Sequence, residues 1–139
     1  MQINPYLNFN GQCAEAFRFY EQVLGGKIEM MMTMGESPMA GETPPEMLDR
    51  VMHVSMTVGG QSLMGSDSPP EMYQKPQGLH VSLHYDTAEE GGRVFNALAE
   101  GGTVVMPFEK TFWAEGFGML VDRFGTPWMV NCGGGNSQA

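Results

Sequence analysis

Residues 111–131, with the sequence TFWAEGFGMLVDRFGTPWMVN, contain the pattern that decides the fold. Two apolar runs, Met119–Val121 and Trp128–Val130, are separated by the turn-forming residues DRFGTP at 122–127. An apolar strand, a glycine-containing turn and a second apolar strand predict a β-hairpin. Within the turn, Asp122 is predicted to bind the local backbone rather than to act in catalysis.

The hairpin closes the second of two similar halves of the chain. Leu24-Gly25-Gly26-Lys27 and Glu100-Gly101-Gly102-Thr103 are offset by 76 residues, and the same offset aligns Tyr6 with Ser82. Each half predicts a strand, a helix and three strands. These elements cover residues 5–9, 12–24, 27–33, 50–58 and 61–65 in the first half, and 79–85, 87–100, 103–108 and the hairpin in the second. The repeat predicts an α+β fold of tandem βαβββ modules that form a curved mixed sheet with a central cleft.

The length of 139 residues predicts a single domain. Module one covers about residues 1–67, a proline-rich linker about 66–78, and module two about 79–132. The glycine-rich tail at 133–139 is predicted to be flexible. The long segment 35–49, rich in proline and glycine, is either a variable connection or a lid over a site.

Composition excludes several classes of partner. The net charge is −9, from 16 acidic and 7 basic residues, which argues against nucleic-acid binding. No run of about 18 apolar residues predicts a membrane span, and the N-terminus lacks the pattern of a signal peptide, so a cytoplasmic protein is expected. Cys13 and Cys132 lack a CxxC spacing and are predicted to be reduced thiols. The helix start near Cys13 predicts a lowered pKa for that thiol.

Several blocks carry a family resemblance: PYLNF at 5–9, AEA at 14–16, SD at 66–67, TFWAEGFG at 111–118 and DRFGTPW at 122–128. With these blocks the chain resembles the PhnB-like branch of the vicinal oxygen chelate superfamily, often labelled 3-demethylubiquinone-9 3-methyltransferase-like. The superfamily includes glyoxalases, bleomycin-resistance proteins, fosfomycin-resistance enzymes and extradiol dioxygenases. The resemblance covers nearly the whole chain and implies the fold above and a homodimer.

The resemblance also implies where a divalent metal would bind. The superfamily places His, Gln or Glu on the first strand of each half and Glu on the last strand, positions that fall here on Pro5 or Tyr6, on His80 and on Met129. His80 is the only match, and a thioether does not suit a hard divalent ion, so no metal cofactor is expected. Methyl transfer is not indicated either, because no strand–GxGxxG–helix unit is present and the glycines at 116–118 lie between predicted strands.

Six residues are predicted to line a ligand cleft: Tyr6, His53, His80, Trp113, Phe117 and Met119. The aromatic residues serve equally well as core or as the wall of a pocket, and the histidines fit a half-exposed strand as well as a site. Asp67 and Glu115 are possible general bases without a recognisable acid partner. The favoured function, with no activity assigned, is binding of a small apolar or aromatic molecule without the superfamily's metal triad. The alternative is a divalent-metal-dependent lyase or dioxygenase-type enzyme that uses His80.

Overall fold

The computed structural model describes residues 1–133 and divides the chain into two compact units, Met1–Gln74 and Lys75–Ala139. The boundary lies inside the predicted linker. Residues 66 and 67, however, belong to the last strand of the first unit rather than to the linker. Apart from Gly133, the predicted flexible tail lies outside the described residues. That the two units make one domain stays a prediction.

The first unit is one four-stranded sheet with one α-helix. Its elements are β1 (Tyr6–Phe9), α1 (Cys13–Leu24), β2 (Lys27–Thr33), β3 (Val51–Val58) and β4 (Gln61–Asp67). The strand order is β1-β4-β3-β2, with β1 parallel to β4 and the other pairs antiparallel. Gly59 and Gly60 both have positive φ, as a two-residue hairpin turn between β3 and β4 requires.

The second unit repeats this order. Its elements are β5 (Val81–Tyr85), α2 (Ala88–Ala99), β6 (Thr103–Glu109), β7 (Gly116–Val121) and β8 (Pro127–Cys132). The strand order is β5-β8-β7-β6, with β5 parallel to β8. The Thr87 Oγ1 accepts a hydrogen bond from the amide of Glu90 at 3.2 Å, which caps α2. The α+β class and the tandem βαβββ order are confirmed.

Three predicted boundaries were wrong. The strand predicted over 79–85 starts at Val81, so His80 lies before it. The strand predicted to end at Gly65 continues to Asp67, which pairs with Phe9 of β1. The glycines at 116–118 are part of β7, where Gly116 pairs with Cys132. In the last two cases the pairing partner is distant in sequence, so local patterns do not show where the strand ends.

Each unit has its own core between its helix and one face of its sheet. In the first unit the sheet face that packs against α1 carries the buried residues Leu7, Phe9, Val54 and Met56. The ring centroids of Phe9 and of Phe17 on α1 are 6.1 Å apart. In the second unit the buried residues of the sheet include Leu120, Trp128 and Val130, and those of α2 include Phe95 and Leu98. Each such side chain contributes roughly 1.5–3 kcal/mol on burial.

The segment between β2 and β3 is not regular secondary structure, as predicted. It contains three 3₁₀ turns, Met34–Glu36, Ala40–Glu42 and Pro45–Met47. Its two ends are joined by backbone hydrogen bonds, including one from the amide of Gly35 to the carbonyl of Leu48 at 2.9 Å. In the described part of the chain, no helix combines the length and apolar character needed to cross a bilayer.

Candidate functional site

The face of each sheet that lies opposite its α-helix is called here the distal face. Because side chains alternate along a strand, the residues between the buried positions point to this face. In the first unit, the distal face carries Tyr6, Asn8, Met30, Met32, His53, Ser55 and Met64. The candidate residues Tyr6 and His53 therefore share one face of one sheet, although 47 residues separate them.

Tyr6 and His53 are in direct contact. The Oη of Tyr6 lies 3.0 Å from the Nδ1 of His53, and the two rings stack with centroids 5.7 Å apart. Tyr6 is 44% exposed, so the pair is accessible at a surface of the unit. The hydrogen bond fixes the orientation of the imidazole and leaves its Nε2 atom for another partner.

In the second unit, the distal face has two rows of side chains that run across all four strands. Strand pairing places Ser82, Met129, Met119 and Met106 in one row, and His84, Asn131, Phe117 and Glu109 in the next. The first row presents three adjacent thioethers. The second row places the aromatic ring of Phe117 beside two polar side chains, which is the mixture typical of small-molecule sites.

An aromatic cluster lies at one end of this face. The Thr111 Oγ1 accepts hydrogen bonds from the amides of Trp113 and Ala114, which forms a tight turn between β6 and β7. The turn presents Phe112 with 97% exposure and Trp113 with 45% exposure. The Trp113 ring contacts Phe112 at 4.8 Å and Phe117 at 5.3 Å between centroids, so the three rings form a continuous apolar surface. Trp113 is thus not a core residue.

Asn131 is polar but incompletely paired. Its Nδ2 lies 3.5 Å from the Nδ1 of His84. Its Oδ1 is buried and has no hydrogen-bond partner among residues 1–133. A buried acceptor without a partner costs about 1–3 kcal/mol. Sequence analysis missed Asn131, because only the pairing of β5 with β8 brings it next to His84.

The resemblance places metal ligands at Pro5 or Tyr6, at His80 and at Met129. In the structure Tyr6 pairs with Met64, and Met129 pairs with Ser82. His80, the candidate ligand, is exposed and two residues before Ser82. Within residues 1–133 no group of three or more His, Cys, Asp or Glu side chains is placed to bind a metal. The donors at these positions do not fit a hard divalent ion.

Two carboxylates act in the structure rather than in a site. Asp67 accepts hydrogen bonds from the amides of Gly11 at 2.7 Å, Cys13 at 3.1 Å and Val51 at 2.9 Å. Asp122, only 3% exposed, accepts hydrogen bonds from the amide of Phe124 and the indole Nε1 of Trp128, among others. The prediction that Asp122 organises its turn is confirmed. The carboxylate of Asp67 accepts three backbone hydrogen bonds, so it is not available as a general base.

Both thiols are free and buried. The pKa of Cys13 is raised far above its ordinary value, mainly by burial and further by the charge of Asp67. The expectation that the start of α1 lowers the pKa of this thiol was therefore wrong, because desolvation outweighs the helix field. Burial also raises the pKa of Cys132, with Glu115 and Glu90 adding to the effect. Neither thiol is prepared for nucleophilic chemistry.

Of the six predicted cleft residues, the structure brings together two groups. Tyr6 and His53 contact each other in the first unit, while Trp113, Phe117 and Met119 lie together in the second. His80 lies in neither β5 nor these groups.

Two four-stranded βαβββ units with this strand order define the fold class of the protein. This is the fold of the vicinal oxygen chelate superfamily, and it is shared with the fosfomycin resistance protein FosX from Listeria monocytogenes (TM-score 0.63, 8% identity, 96% of this chain and 91% of that chain). At that identity the likeness concerns the fold alone.

The family is defined by a second finding. Residues 1–131 match the family model described as 3-demethylubiquinone-9 3-methyltransferase. The chain therefore belongs to this family, the PhnB-like branch of the superfamily to which its sequence motifs pointed.

Individual relatives agree with this placement. The chain is 34% identical to Protein YjdN from Escherichia coli K12, over 94% of this chain and 95% of the relative. It is 50% identical to protein PA1353 from Pseudomonas aeruginosa, with a TM-score of 0.88 over 96% of this chain and 98% of that chain. A PhnB protein from Bacillus cereus, described as a putative 3-demethylubiquinone-9 3-methyltransferase, is 26% identical, with a TM-score of 0.80 over 95% and 99% of the two chains.

Proposed function

We propose that this protein binds a small apolar or aromatic molecule without the metal triad of its superfamily. The observation that carries the proposal is the distal face of the second unit. There the row Met129, Met119 and Met106 lies next to Phe117 and to the unpaired Oδ1 of Asn131. Thioethers and an aromatic ring provide adaptable apolar contacts, while a lone buried acceptor provides orientation.

The polar groups define the ligand further. An unpaired carbonyl oxygen needs a donor, so the ligand carries an O–H or N–H group next to an apolar ring. Trp113 and Phe117 supply faces on which a planar ring can pack. The cleft between the modules that the resemblance implies stays a prediction, and the proposal needs only the face of one unit.

The alternative, an enzyme with a divalent metal on His80, has no observation in its favour. The paired positions Ser82 and Met129 offer a hydroxyl and a thioether instead of a carboxylate. Methyl transfer, which the name of the family describes, would need a site for a methyl donor, and no Gly-rich turn follows β1 or β5.

A matched pair of probes tests the proposal: 2-naphthol, which has a donor, and 2-methoxynaphthalene, which does not. A ligand that binds only the folded protein raises the thermal midpoint in proportion to RT ln(1 + [L]/Kd). We expect 2-naphthol to raise the midpoint more. We expect Asn131→Ala to weaken the binding of 2-naphthol about tenfold and to leave the binding of 2-methoxynaphthalene unchanged. Only 2-naphthol can donate a hydrogen bond to the Oδ1 of Asn131.

Two further variants serve as controls. Phe117→Ala removes the aromatic ring and should weaken the binding of both probes. Asn96→Ala changes an exposed amide on α2 of the same unit and should weaken neither. If neither probe raised the midpoint, or if Asn96→Ala weakened binding as much as Asn131→Ala, the proposed site would be wrong.

We also propose that the protein is a homodimer in the cytoplasm. Support comes from β6, which lies at the edge of its sheet and exposes Val104, Val105 and Met106. Apolar edge strands of this kind associate with other chains unless they are covered. Two unpaired thiols are typical of a reducing compartment. Sedimentation equilibrium should give twice the mass of the chain, and a monomer at micromolar concentration would contradict the dimer.

A further inference from the structure

The distal face of the first unit has a cluster that the proposed function does not use. Three methionines lie on the two strands that flank one histidine. Met32 of β2 lies directly opposite His53 of β3, and Met30 of β2 and Met64 of β4 both lie directly opposite Ser55. His53 and Ser55 are two residues apart on β3, so Met30 and Met64 lie diagonally on either side of His53.

The spacing of the sheet allows these groups to converge. Neighbouring strands are about 4.8 Å apart, and diagonal neighbours about 7–8 Å. Methionine has three rotatable bonds before its methyl group and adapts to irregular space. Ser55, the residue between Met30 and Met64, has a small side chain and leaves room above the sheet. The three sulfur atoms can therefore reach one point beside the imidazole without any change of backbone.

The imidazole is already oriented. With Nδ1 engaged by the Oη of Tyr6 at 3.0 Å, the tautomer that donates from Nδ1 leaves a lone pair on Nε2. Outer-sphere hydrogen bonds of this kind fix the orientation of a ligating imidazole ring. The stacked ring of Tyr6 further restricts its rotation.

The chemistry of these donors selects a particular kind of ion. Thioether sulfur is a soft, neutral ligand, and imidazole is intermediate. Three thioethers and one imidazole add no negative charge, which disfavours Mg²⁺, Ca²⁺ and Mn²⁺ and favours a monovalent soft ion. We propose that Met30, Met32, Met64 and His53 form a site for Cu(I). The site uses none of the residues on the ligand face of the second unit, and neither proposal depends on the other.

The test uses the full chain labelled with ¹³C at the methionine methyl groups. The protein is titrated with Ag(I), a redox-inert substitute for Cu(I), and then with Cu(I) under reducing, oxygen-free conditions. We expect one equivalent to bind and to shift the methyl resonances of Met30, Met32 and Met64. Ions bound by the free thiols of Cys13 and Cys132 would leave these methyl resonances in place, so the measurement separates the two kinds of sulfur.

The chain offers a matched control on the same strand. Met31 pairs with Val54, a core position, and thus lies on the opposite face between Met30 and Met32. Met32→Leu and Met31→Leu are both near-isosteric changes that preserve folding. We expect Met32→Leu to weaken Ag(I) binding at least tenfold and Met31→Leu to change it less than twofold. His53→Gln should also weaken binding at least tenfold, which provides a second variant that leaves every methionine in place.

The site would be wrong if the methyl resonances of Met30, Met32 and Met64 did not move, or if the only shifts were those of Met106, Met119 and Met129 in the second unit. It would also be wrong if Met31→Leu lowered the affinity for Ag(I) as much as Met32→Leu does. A positive result with His53→Gln unaffected would also contradict it, because the imidazole is the ligand that distinguishes this cluster from the methionine row of the second unit.

Discussion

The two units have the same backbone order but differ in how they fill the corner where the first strand ends. In the first unit, Phe9 pairs with Asp67; in the second unit, Tyr85 pairs with Cys132. The first unit places its thiol on the helix, at Cys13, next to the carboxylate of Asp67. The second unit has the thiol on the strand, and a Cβ atom built at Gly91 of α2 would overlap its Sγ.

The difference shows which part of the repeat is constrained. Strand pairing and helix position recur in both units because each sheet must pack against its helix. At the end of the first strand, by contrast, any residues will serve that fill the space and satisfy the backbone hydrogen bonds. One unit uses a carboxylate that binds three amides. The second unit uses the Sγ atom of Cys132, which packs against α2 at Gly91, where the helix has no side chain. These solutions differ in polarity, so they should respond differently to substitution and to pH.

Asp67→Ala should have the largest effect. It removes the acceptor for the amides of Gly11, Cys13 and Val51, and unsatisfied amides in a partly buried place cost about 1 kcal/mol or more each. We expect the free energy of unfolding in urea to fall by about 2–4 kcal/mol. Asp49→Ala, which alters an exposed carboxylate in the same unit, should change it by less than about 0.5 kcal/mol. Equal effects of the two variants would refute a bracing role for Asp67.

The corner of the second unit should respond to added volume instead. Gly91→Ala places a methyl group where the Sγ of Cys132 lies, and overpacking of this kind costs about 1–3 kcal/mol. We expect a loss of about 2 kcal/mol from denaturant unfolding.

The same substitution in a Cys132→Ala background provides the internal control. With the sulfur removed, Gly91→Ala should stabilise the protein by up to about 1 kcal/mol, because alanine favours a helix over glycine. A loss in both backgrounds would show that the clash lies elsewhere.

The smallest effect concerns alkaline pH. The pKa of Cys13 is raised above its ordinary value of 9.0 in the folded chain. The unfolded thiol therefore loses its proton first, so the stability that this thiol contributes is complete below about pH 9 and declines as the pH rises further. We expect Cys13 to account for about 1 kcal/mol of lost stability at pH 10.

The measurement compares unfolding free energies of wild type and Cys13→Ala between pH 7 and pH 10. The difference between the two proteins should narrow above pH 9, because the variant has no thiol to deprotonate. A difference that stays constant over this range would contradict the raised pKa.

Much of the fold was predictable, for reasons that lie in particular residues. Strand β2 has the predicted bounds, and α1 ends as expected, with Gly25 in the left-handed region at φ 71°. Such features depend on local patterns: alternation, apolar spacing and the conformational freedom of glycine. The ends of β4 and β7 were not predictable, because Asp67 and Gly116 become strand residues only through their partners Phe9 and Cys132.

The candidate site shows the same division. The aromatic residues Trp113 and Phe117 could be proposed from composition and spacing alone. The contact between Tyr6 and His53, the pairing of His84 with Asn131, and the exclusion of His80 from β5 all depend on register between distant strands. One residue of slip would move each of these side chains to the other face of its sheet.

By itself, the sequence determined that this chain is a repeat of two βαβββ modules, that its two cysteines lack a CxxC spacing, and that a methionine, Met129, stands where the resemblance places a metal-binding glutamate. These are statements about residue types and local periodicity. Only the tertiary structure decided which side chains share the distal faces, where Asn131 presents an unpaired oxygen, and why the pKa of Cys13 rises. Those properties arise from pairing and burial across tens of residues, and no local window of sequence contains both partners.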